Sequence, residues 1–118
     1  MIKKILLPAA FCLILAGCAN DSTDDLVGIT EGEVTYTENI QHIIATNCYF
    51  CHGNTPQNGA PMSLTTYDAV KEAVMNRHLI EKISKQNGED GLMPLGGQRL
   101  PQATIDQVTA WSAANFPE

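Results

Sequence analysis

The sequence predicts an all-α fold, and three observations carry that expectation. Ile40, Ile43 and Ile44, with Asn47, recur at i, i+3, i+4 and i+7, the spacing of one helix face. Residues of the helix-capping type stand just ahead of such runs. No segment alternates apolar and polar residues well enough to make a strand. At 118 residues the chain is of one-domain size, and it contains no internal repeat.

The first helix opens at Thr35-Tyr36-Thr37-Glu38, which has the spacing of a capping box. Thr35 is the expected N-cap, Glu38 is expected to reach back to it, and the helix runs directly into Cys48. Thr65-Thr66-Tyr67-Asp68 is a second capping signal. It opens a helix with Tyr67, Val70 and Val74 on one side, and Met75, next to Val74, is expected in the core. A third helix is expected from Asn76, carrying Leu79, Ile80 and Ile83. The last begins near Pro101, because proline suits the first helical position, and buries Ile105, Val108 and Trp111. Two glycine- and proline-rich loops, 53–63 and 86–100, connect them.

The chain begins differently. Lys3 and Lys4 precede the apolar run ILLPAAFCLILA, and Leu15-Ala16-Gly17-Cys18 follows. A charged start, a short apolar stretch and small residues at a cleavage point describe an export signal rather than a spanning helix. LAGC resembles the lipobox of bacterial lipoproteins. That resemblance implies cleavage before Cys18, lipid on its thiol and amine, and a protein held on a bacterial membrane facing the periplasm or the cell exterior. The expected organisation is a signal peptide at 1–17, a lipid-attached tether at 18–34 and a helical domain at 35–118. The tether is rich in Asp, Ser, Thr and Gly, with a reach of about 20 Å for a flexible chain of its length.

The formal net charge is −6, and loss of Lys3 and Lys4 would leave the remainder more acidic still. Such a chain repels phosphates, which argues against nucleic acid as a partner and is compatible with a basic protein. A core of this size is marginal without a staple. Whatever Cys48 and Cys51 hold is therefore expected to stabilise the fold as well.

Those cysteines belong to Cys48-Tyr49-Phe50-Cys51-His52, the C-x-x-C-H pattern of c-type haem attachment. Two thiols three residues apart can reach the two vinyl groups on one side of a porphyrin. The next residue then points over the ring centre, where its imidazole can bind iron. His52 must be neutral to do so, and its other ring N–H needs an acceptor. Export agrees with this, since such attachment takes place outside the bacterial cytoplasm. A thioredoxin-like dithiol would want a strand before the pair. A zinc site needs a fourth ligand, and the other histidines, His42 and His78, fall on solvated sides of their helices. A Cys48–Cys51 disulfide closes too small a loop to gain much entropy.

The second axial group is expected to be Met93. It lies in QNGEDGLMPLGGQ, a helix-free loop with Pro94 behind it, far enough from His52 for two helices to intervene. Met62 follows His52 too closely to cross to the opposite face of the ring and is expected to pack at its edge. The chain from Tyr36 to Pro117 then resembles class I cytochrome c, on Cys48, Cys51 and His52 before a loop, Pro61 and Leu64 after it, Met93-Pro94 late in the chain, and a terminal helix with Trp111. The resemblance implies an orthogonal helix bundle wrapped round one covalently bound haem c. Cys48, Cys51, His52 and Met93 would hold the cofactor, with His52 and Met93 on the iron. The first and last helices would cross near one haem edge, and the carbonyl of Pro61 would accept the His52 N–H.

The function this implies is one-electron transfer without catalysis, with a redox protein as partner and the membrane reached through the lipid on Cys18. A haem enzyme or sensor, with Met93 labile or absent from the iron, is the alternative. Arg77, Arg99 and Tyr67 are candidates for the haem carboxylates.

Overall fold

The structure, a computed structural model, describes residues 32–118. The expected signal peptide, Cys18 and nearly all of the tether lie outside the described residues. Within them the fold is all-α, with no strand. A π-helical turn at Tyr36–Ile40 leads into α1 at Gln41–His52. Then follow α2 at Tyr67–Asn76, α3 at Leu79–Ser84 and α4 at Gln102–Ala113.

Thr35 is the N-cap of the first turn, its Oγ1 accepting from the Glu38 amide at 3.2 Å. The reciprocal bond comes from Asn39, not Glu38: the Thr35 amide donates to Asn39 Oδ1 at 3.0 Å. The opening turn is wide, with the Ile40 and Gln41 amides bonded five residues back, and this brings Asn39 into reach. Thr66 caps α2 through the Ala69 amide at 3.2 Å. Asn76 ends α2 instead of starting α3, and Met75 is 59% exposed, not in the core. His78 is the cause of the break. Its left-handed backbone (φ 58°) turns the chain, so Leu79 begins a new helix with its own phase.

Ile40, Ile44, Leu64, Val70, Ile83, Ile105, Val108 and Trp111 form the core. α4 packs on both α3 and the π turn, which brings the start and end of the domain together. That junction is aromatic. Tyr36 meets Tyr67 edge-on at 5.3 Å between centroids, and Trp111 meets Phe116 at 4.9 Å. The chain after α4 folds back to serve it: the Pro117 carbonyl accepts from both Trp111 Nε1 (2.8 Å) and the Tyr36 amide (2.9 Å).

Candidate functional site

The last turn of α1 carries Cys48, Cys51 and His52. At i, i+3 and i+4 these lie on one helical face, and all three line a cleft of about 160 Å³. Phe50 stands at its rim, 85% exposed. Gly53 ends the helix where a side chain would not fit, because a Cβ there would come within 2.9 Å of the Tyr49 carbonyl oxygen. Both cysteines are thus within the helix itself.

The loop that follows is tied back onto the helix end. The Gln57 amide donates to the Cys51 carbonyl at 2.9 Å, and the Leu64 amide to the His52 carbonyl at 2.8 Å. These bonds satisfy carbonyls that a helix C-terminus leaves unpaired, and they fix the register of the returning chain. The residue facing the imidazole is Met62: its carbonyl oxygen lies 2.8 Å from His52 Nδ1. The expected acceptor, Pro61, is thus displaced by one position. A carbonyl only accepts, so Nδ1 carries the proton and the neutral ring keeps its lone pair on Nε2. This is the tautomer a metal-binding histidine needs.

A second cleft, of about 360 Å³, adjoins the first, and His52 and Met93 line both. Met93 is held by its backbone, its amide donating to the Lys82 carbonyl of α3 at 3.1 Å. Leu92 is buried beside it in the chain. The base of the Met93 loop is closed by a clasp. The Arg99 amide donates to Asn87 Oδ1 at 2.7 Å, while the Arg99 side chain donates to the Ser84 carbonyl at 3.2 Å and to Gln102 Oε1 at 2.6 Å. Arg99 is therefore engaged in holding the loop. The Tyr67 hydroxyl donates to the Phe116 carbonyl at 2.7 Å, in the aromatic junction. Of the three candidates for carboxylate contacts, only Arg77 lines either cleft.

Both thiols are free. Burial first, and the neighbouring Cys51 second, push the Cys48 thiol up to about 11, so it is protonated at neutral pH. It is thus a poor thiolate ligand or nucleophile as it stands. Among the described residues no three His, Cys, Asp or Glu side chains converge where they could share a metal ion. His42 and His78 are exposed as expected, His42 on α1 and His78 at the break between α2 and α3. Sequence reasoning missed the Met62 carbonyl, the Asn87–Arg99 clasp and Lys82 at the second cleft; only the polar Asn87 inside a glycine-rich loop gave a local hint. Comparison with protein-family models, with curated proteins and with solved structures finds no match.

Proposed function

We propose that the domain is an exported one-electron carrier holding a single haem c. One observation carries the reading: His52, with Nδ1 committed to the Met62 carbonyl, and Met93 line the same two adjoining clefts. In this reading Cys48 and Cys51 would hold the macrocycle covalently through their sulfurs. Their placement three residues apart on a rigid helix sets the position of the ring. His52, through Nε2, and Met93, through its thioether, would hold the iron.

Bound haem would supply a ferric/ferrous couple that gains or loses one electron. The chain tunes that couple. A thioether favours the softer ferrous ion, and an apolar surrounding penalises the extra charge of the ferric state, so both raise the potential. The first cleft suits this, since no Asp, Glu, Lys or Arg lines it. It also holds no second imidazole or carboxyl group to act as acid or base on a bound peroxide, which favours a carrier over a peroxidase. Lipid on Cys18, a bacterial membrane facing the periplasm or exterior, and a redox protein as partner complete the proposal.

The test is an optical spectrum of the exported protein, oxidised and reduced. The carrier reading predicts low-spin spectra with the weak far-red band of methionine–iron ligation, lost in Met93→Ala. A high-spin protein that binds carbon monoxide before any substitution would support the sensor or enzyme reading instead.

A further inference from the structure

The two clefts differ in what lines them, and the difference has a direction. Cys48 and Cys51 line only the first. Arg77 and Lys82 line only the second, and they are the only charged side chains on either. His52 and Met93, with Pro61, Leu64 and Leu79, are common to both and mark the middle. Thiols stand at one end, two cations at the other, and the candidate iron ligands lie between.

We infer that Lys82, assisted by Arg77, binds the two carboxylates of the tetrapyrrole. The inference rests on the haem reading and deepens it by fixing which way round the ring lies. In haem c the two propionates project from the half of the macrocycle opposite the pyrroles that carry the thioether links. Anchoring at Cys48 and Cys51 therefore sends the carboxylates towards the second cleft. Lys82 is half-buried there, as for a lysine whose stem lies on apolar neighbours and whose head stays polar. Among the described residues its ammonium makes no ion pair, whereas Lys85, just past α3, lies 4.0 Å from Glu81. Arg77 Nε is bonded to Glu72 at 2.8 Å, which orients the guanidinium and leaves its terminal nitrogens unbonded among the described residues. An ammonium as point charge and a guanidinium as planar fork both suit carboxylates. Lys82 also accepts the Met93 amide through its carbonyl, so one residue would serve carboxylate and axial ligand together.

The experiment is proton NMR on the ferrous holoprotein, with Lys82→Met and with Lys85→Met as a control of equal charge change outside both clefts. The expected result is through-space contact from the propionate methylenes to the Lys82 and Arg77 side chains. Lys82→Met should shift those methylene resonances and lower the reduction potential by more than Lys85→Met does, and Lys82→Arg should restore both. Contacts running to Asn58 and Leu95 of the first cleft, or equal effects of the two methionine variants, in a protein that retains His/Met spectra, would overturn this inference alone. Absence of covalent haem would overturn the functional reading with it.

Discussion

The two ends of this domain solve opposite problems with the same helices. At the aromatic junction, Tyr36, Tyr67, Trp111 and Phe116 fill the space between the first turn and α4, and the chain after α4 returns to pair Trp111 Nε1 and the Tyr67 hydroxyl. At the other end the last turn of α1 and the Met93 loop face one another across clefts, and their hydrogen bonds position ligand-type groups instead of closing the space. The junction is filled by the protein's own side chains. The cleft is a site whose stability is expected to come from what it holds.

The largest test of that contrast is to remove the anchors. Cys48→Ala with Cys51→Ala should abolish both covalent haem and stable folding, as measured by protease resistance after export. A resistant apo-domain would show that the junction alone suffices. Next comes Trp111→Ala, which empties the fully buried centre of the junction. It should cost about 3–5 kcal/mol in denaturant unfolding, while the low-spin spectrum of the fraction that remains folded stays unchanged. A spectral change would mean that the two ends are not separable.

Smaller effects sharpen the comparison. Asn87→Ala breaks the clasp at the base of the Met93 loop and should cost about 1 kcal/mol. It should also speed the entry of added imidazole to the iron, a readout that lost stability elsewhere would not move to the same degree. Thr66→Ala, by contrast, should lose about 1 kcal/mol of cap energy without altering imidazole entry. Tyr36→Phe should go the other way. The Tyr36 hydroxyl is buried without a hydrogen-bond partner among the described residues, so its removal should be neutral or stabilising by up to about 1 kcal/mol. Burial first, and Tyr49 second, push that hydroxyl above the usual tyrosine value. The unfolded chain therefore releases this proton first, and stability should fall as pH rises past about 10. In Tyr36→Phe that part of the fall should vanish.

Local features were legible in the sequence, and those that depend on the return of the chain were not. The caps at Thr35 and Thr66, the helix leading through Cys48 and the start of α4 after Pro101 are written in neighbouring residues, and the structure has them. The break at His78 was missed because nothing nearby forces a left-handed histidine; the packing of Leu79 and Ile83 on the core selects it. Met62 replaced Pro61 as the acceptor for His52 because register is set by the Leu64–His52 bond, a contact across the loop. Nothing in the residues next to Lys82 marks it as a cleft residue; the Met93 loop returning onto α3 puts it there.

The most direct measurement is the intact mass, under denaturing conditions, of the chain produced and exported with a haem-attachment system. The account predicts the mass of one haem added to the polypeptide, lost when both Cys48 and Cys51 are replaced. A polypeptide carrying no tetrapyrrole would contradict it.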